Sequence, residues 1–91
     1  MLEEVKLALR ITTSQFDDEI TMLIQSALLD LGIAGVITTT TDSLIKLAVI
    51  TYVKMHFGNP ENYDRLKKSY DEQKAQLQMA TGYTSWGDVD G

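Results

Sequence analysis

The chain has 91 residues, with 13 acidic against 8 basic side chains and a formal net charge of -5. That length suits one domain with one small core, and the charge has the wrong sign for tight binding to phosphates. The absence of cysteine excludes disulfides and thiolate metal sites. We expect a soluble protein without an export signal, because no apolar run approaches the about 20 residues that span a bilayer and the N-terminus is acidic.

The first helical signal lies at the N-terminus. Leu2, Val5 and Leu9 recur at helical spacing, with charged residues on the other side, and predict a first helix of about two turns. A helix this short is unstable alone in water, so we expect it to pack against the rest of the domain.

The second helix is the most regular element of the sequence. Ser14 followed by Asp17 resembles a capping box, so the helix should start here. It is expected to stop at Leu31, because Gly32 and Ile33 suit a Schellman end. Its core stripe consists of seven apolar residues at helical spacing: Phe16, Ile20, Leu23, Ile24, Ala27, Leu28 and Leu31.

A long connection and a very apolar third helix follow. Residues 32–41 hold two glycines, Val36, Ile37 and four threonines, which favours extended backbone. Ten residues exceed the usual helix connection of about 2 to 8, so the segment is either a functional loop or a spacer. The third helix should run from Ser43 to Phe57 and end at Gly58; its β-branched residues also allow a strand, but its length favours helix. Because this helix is apolar on nearly all sides, we expect it to be more buried than so short a chain can achieve alone.

The last helix should begin at Asn59, a good N-cap, followed by Pro60 at the first helical position, and should reach about Ala80. Residues 1–80 are therefore expected to form an all-α, compact antiparallel bundle of about four helices, with a long loop between the second and third. Residues 81–91 are expected to form an irregular C-terminal tail. The inner stripe of the last helix consists of Tyr63, Leu66, Tyr70 and Leu77.

The residues do not assemble into a recognisable catalytic or cofactor site. His56 is the only histidine and suits a helix end, where it meets the C-terminal carbonyls. The acids at 17–19 fit the N-terminal dipole of a helix better than a magnesium site. A helix-turn-helix is disfavoured because residues 32–41 far exceed its turn of about 3 to 4 residues. We therefore predict no enzyme, no cofactor and no metal.

Six apolar residues are candidates for contacts with other proteins. Two lie seven apart on the second helix, off its core stripe, and two lie in the long loop. The other two are aromatic residues in an uncharged tail, a residue type enriched at interface anchors. The alternatives for the tail aromatics are packing onto the chain's own core and disorder. The six candidates are Met22, Leu29, Val36, Ile37, Tyr83 and Trp86.

Several segments have a recognisable order and spacing: residues 5–11, 17–20, Ile24, Ala27, Gly32-Ile33, Leu44, Ala48 and Tyr52-Val53. Over roughly residues 2–80, this pattern resembles the head-tail connector proteins of long-tailed bacteriophages and prophages. The resemblance implies an antiparallel helical bundle that forms a ring with copies of itself, matching the portal protein's twelvefold symmetry.

The same resemblance implies the partners and the place of action. Such a ring docks under the portal protein, completes the head, and offers a surface to the next connector or stopper protein. DNA passes through it without sequence-specific binding, and no membrane is involved. The protein would lie at the head-tail junction of the virion and be assembled in the bacterial host cytoplasm. The alternative function is a generic helical interaction module or small regulator that acts as a dimer.

Overall fold

A computed structural model describes residues 1–33, 43–58 and 60–79. In these residues the chain forms four α-helices and no strand: α1 (Leu2–Leu9), α2 (Asp17–Ile33), α3 (Ser43–His56) and α4 (Tyr63–Met79). This confirms the predicted all-α bundle. The expected tail at 81–91 and most of the expected loop at 32–41 lie outside the described residues.

The Schellman end that the sequence suggested for α2 occurs instead at the end of α1. Arg10 adopts a left-handed conformation with φ 60°. Its N–H donates to the Leu7 carbonyl at 3.1 Å, and the N–H of Ile11 donates to the Lys6 carbonyl at 2.9 Å. These are the two hydrogen bonds of a Schellman motif. The non-glycine residue in this conformation costs about 1 kcal/mol, which the two capping bonds offset.

Both predicted ends of α2 are wrong by a few residues. The N–H of Asp17 donates to the Ser14 carbonyl at 3.2 Å, so Ser14 forms a turn before the helix and is not its N-cap. At the other end the helix continues through Gly32 to Ile33. A glycine permits a positive φ but does not impose one, and Gly32 keeps the helical conformation.

α3 ends at His56, one residue before its expected end, whereas α4 begins three residues later than expected. Gly58 follows α3 with φ 72°, the conformation that favours glycine after a helix. The predicted start of α4 at Pro60 is wrong, because residues 61–62 form a turn and the helix begins at Tyr63. The N–H of Leu66 donates to the Asn62 carbonyl at 3.0 Å, which places Asn62 immediately before the first turn. Asn59 lies outside the described residues.

α3 lies at the centre of the bundle and contributes more core side chains than any other helix. Leu44 and Leu47 nevertheless stay 46% and 50% exposed, so the described residues do not enclose α3 completely. The buried Thr51 hydroxyl donates to the Leu47 carbonyl at 3.0 Å and so adds no unsatisfied polar group. The apolar core consists of Val5, Ile20, Ile24, Ala27, Leu31, Ile45, Ala48, Val49, Val53, Met55, Tyr70 and Leu77.

Aromatic contacts fix the direction in which α3 and α4 pack. The rings of His56 and Tyr63, near the connection, have centroids 6.3 Å apart. Farther from the connection, the rings of Tyr52 and Tyr70 meet edge to face at 5.3 Å. Because the later residue of α4 meets the earlier residue of α3, the two helices run antiparallel.

Candidate interaction surface

A line of exposed apolar side chains runs along the outer side of α2. Met22, Leu29 and Ile33 are 65%, 66% and 78% exposed. Because each residue turns a helix by about 100°, the three lie within about 40° of one another around the helix axis. We call them the α2 outer stripe.

The outer stripe lies opposite the core side of the same helix. Ile20, Ile24, Ala27 and Leu31 are buried, and their angular positions around α2 are centred about 180° from the stripe. An ordinary surface helix has one apolar side. α2 therefore presents one apolar side to its own core and a second to its surroundings.

Two members of the stripe were candidates from the sequence, and one was missed. Met22 and Leu29 lie where their spacing predicted, although whether they bind a partner stays a prediction. Ile33 was assigned to the closing contact of a Schellman end, so its place in the stripe became visible only when α2 proved to continue past Gly32. The heptad spacing of 22 and 29, extended by four residues, was the signal in the sequence.

A second apolar feature lies between α3 and α4. A groove of about 190 Å³ is lined by Leu44 and Leu47 from α3 and by Gln73, Gln76 and Leu77 from α4. We call it the α3–α4 groove. The sequence did not reveal this groove, because α3 is apolar on nearly all sides and its pattern does not show which edge is exposed.

A polar network fixes α2 against α4. The Tyr70 hydroxyl donates to Oδ2 of Asp30 at 2.6 Å, and Lys74 Nζ lies 3.3 Å from the same oxygen and 5.3 Å from the Tyr70 ring centroid. Burial raises the pKa of Tyr70, and the hydrogen bond to Asp30 raises it further. Tyr70 therefore remains a neutral donor, and the outer stripe and the groove belong to helices held in one arrangement.

Two ion pairs attach α1 to its neighbours. Lys46 Nζ lies 2.9 Å from Oε2 of Glu4, and this hydrogen bond lowers the pKa of Glu4 to about 2. Lys6 Nζ lies 2.7 Å from Oδ1 of Asp17, a charge contact whose angles fall outside those of a hydrogen bond. Asp17, expected only to favour the helix dipole, thus also joins α1 to α2.

The remaining predictions concern His56, metal binding, membrane spanning and four interface candidates. His56 is exposed at the end of α3, and its ring lies 4.4 Å from that of Tyr52. No three His, Cys, Asp or Glu residues within 1–33, 43–58 and 60–79 are placed to hold a metal ion. In the same part of the chain, no helix has the length and apolar character needed to cross a membrane. The candidates Val36, Ile37, Tyr83 and Trp86 lie outside the described residues.

A known protein family matches most of this chain, including the outer stripe and the groove. The family described as phage connector protein matches residues 1–84, which include all four helices, the outer stripe and the groove. The chain belongs to the phage connector protein family. No curated protein and no solved structure matches this connector protein. The match confirms the resemblance found in the sequence and makes the connector protein a structural component of the virion. It includes Tyr83 but ends before Trp86.

Proposed function

We propose that this connector protein is the adaptor subunit of the head-tail junction. Copies of it assemble into a ring that docks under the portal protein and completes the head. The far side of the ring receives the next connector or stopper protein, and DNA passes through its opening. The observation that carries the proposal is the second apolar side of α2, found in a chain that belongs to the connector family.

The free energy available from covering the outer stripe is large for so small a protein. Full burial of a leucine, isoleucine or methionine side chain contributes about 1.5 to 3 kcal/mol. The three stripe residues retain about two thirds or more of their exposure, so a neighbour that covers them gains about 3 to 6 kcal/mol before association costs. Contacts with other subunits are the means by which an assembly protein realises this gain.

The charge of the chain suits an opening through which DNA moves. The net charge of -5 repels the phosphate backbone, whereas a basic lining would release counterions and hold the duplex. The same charge gives no support to sequence-specific DNA binding.

Co-expression with a tagged portal protein tests the proposal. The connector is expected to co-purify with the portal, and electron microscopy is expected to show an added ring on one side of it. Leu29→Lys should abolish the ring, because it places a charge in the outer stripe. Ala75→Lys, which adds the same charge to an exposed position of α4, is the matched control and should leave the ring intact.

Two results would contradict the proposal. One is failure of the wild-type connector to bind the portal protein. The other is a discrete dimer in light scattering that persists unchanged when the portal is present, since that result favours the generic helical interaction module.

A further inference from the structure

We infer that the α2 outer stripe of one copy lies in the α3–α4 groove of the next copy, so that neighbouring subunits join head to tail. The inference rests on the proposed function, because it specifies how copies meet within the ring. A ring requires two different surfaces on each subunit, one for each neighbour. The stripe belongs to α2, whereas the groove belongs to α3 and α4, so one chain can use both at once.

The two surfaces have matching apolar character. The groove offers the half-exposed Leu44 and Leu47 as one wall and the side chain of Leu77 at its base. The end of the stripe offers Leu29 and Ile33, which project from consecutive turns of α2. Helices pack by placing such ridges of side chains into the grooves of a neighbour.

The charges of the helices favour this pairing over contact between two outer stripes. α2 carries four acidic residues and no basic residue, a formal charge of -4. α3 carries two lysines and no acid, and α4 carries four basic and three acidic residues, so their formal charges are +2 and +1. Two stripes in contact would bring together two helices of like charge, whereas stripe and groove bring together opposite charges.

The spacing of residues gives this contact a register. Asp18 lies eleven residues before Leu29, about 16 Å along α2, and Lys54 lies ten residues after Leu44, about 15 Å along α3. If Leu29 of one copy meets Leu44 of the next and the two helices run antiparallel, Asp18 therefore faces Lys54. Lys54 follows Leu47 by seven residues and so shares its exposed edge of α3. Neither Asp18 nor Lys54 forms an ion pair with any other described residue of the chain.

Disulfide cross-linking tests the contact, and the chain has no cysteine to interfere. The double variant Leu29→Cys with Leu44→Cys, co-expressed with the portal protein and oxidised, should yield a ladder of covalently linked subunits. Each single variant should yield none. The matched control combines Leu29→Cys with Asp64→Cys, an exposed residue about 20 Å along α4 from Leu77, and should yield no ladder.

Three results would overturn the inference while leaving the proposed function intact. The first is a covalent dimer of Leu29→Cys alone, which would show that two stripes pair with each other. The second is a double variant that binds the portal but forms no links, which would show that the stripe does not lie in the groove of a neighbour. The third is a disulfide between the two introduced cysteines of the same chain, which would show that the two positions meet within one subunit. Loss of portal binding by the wild-type connector would instead refute the proposed function.

Charge reversal tests the register separately. Asp18→Lys and Lys54→Asp should each assemble about tenfold more weakly than wild type in sedimentation velocity. An equal mixture of the two variants should assemble as wild type does, because subunits that alternate around a ring restore the opposite charges at every contact. Glu3→Lys, which reverses the charge of an exposed position on α1, outside both the stripe and the groove, should have no effect. A mixture that assembles no better than either variant, with native circular dichroism for both, would refute the register.

Discussion

Substitution of two leucines on α2 distinguishes side chains that stabilise the folded subunit from side chains that stabilise contacts between subunits. Leu29 is 66% exposed on the outer stripe, whereas Leu31, two positions later, is fully buried in the core. Both lie in the interior of the same helix, so truncation to alanine changes helix propensity equally at the two positions. The difference between Leu29→Ala and Leu31→Ala therefore reports only where each side chain packs.

The expected magnitudes follow from the burial of each side chain. Leu31→Ala removes a buried side chain and leaves a cavity, so it should lower the free energy of unfolding by about 3 to 5 kcal/mol. Leu29→Ala removes a side chain that is only one third buried, so it should lower that free energy by less than about 1 kcal/mol. In the assembly, the remaining two thirds of Leu29 would be covered. Its loss should then weaken each subunit contact by about 1.5 kcal/mol, or about tenfold.

Urea denaturation of the dilute connector, followed by circular dichroism, measures the first pair of values. Sedimentation velocity at increasing concentration, with and without portal protein, measures the second. Equal destabilisation by the two variants would show that the outer stripe belongs to the core of the subunit. Unchanged assembly of Leu29→Ala would show that this residue lies outside the subunit contacts.

Three further predictions concern single interactions. Tyr70→Phe removes a hydrogen bond to a carboxylate and should lower the free energy of unfolding by about 1 to 2 kcal/mol, measured by urea denaturation; an unchanged midpoint would contradict the role given to Asp30. Glu4→Gln should lower the thermal midpoint at neutral pH. Because the pKa of Glu4 is lowered from 4.5 to about 2, the stabilisation is present above pH 4.5, and the difference from wild type should vanish as the pH falls towards 2; a constant difference would exclude the ion pair with Lys46. Trp86→Ala should weaken binding in a portal pull-down by about 1 to 2 kcal/mol, and equal capture of variant and wild type would remove this residue from the candidate interface.

Local patterns in the sequence predicted the helices well, but not where all of them end. The apolar spacing along α2 defined its core side correctly, because burial repeats with the helical period. Gly32 led to a wrong prediction for the end of α2, and Pro60 to a wrong prediction for the start of α4. Both residues are compatible with a helix boundary but do not require one. Arg10 ends α1 in a conformation typical of glycine, and a signal based on residue type does not reveal such an end.

The candidate surface could be predicted only in part. Met22 and Leu29 were found because they share a helix and a heptad spacing, which is local information. The α3–α4 groove depends on how two helices pack, and the hydrogen bond between Asp30 and Tyr70 joins residues 40 positions apart. Such contacts are set by tertiary packing, so neither the spacing nor the composition of one segment reveals them.

The two apolar sides of α2 also constrain how the helix can move. A helix with one apolar side tolerates a small roll about its axis when neighbouring core residues change size. α2 has no such freedom once its far side is occupied, because any roll that improves one contact misaligns the other. In the proposed ring, a change of volume at Ile24 would therefore alter the angle at which the next subunit is set. If the proposed contact forms, the packing of α2 sets the curvature of the ring.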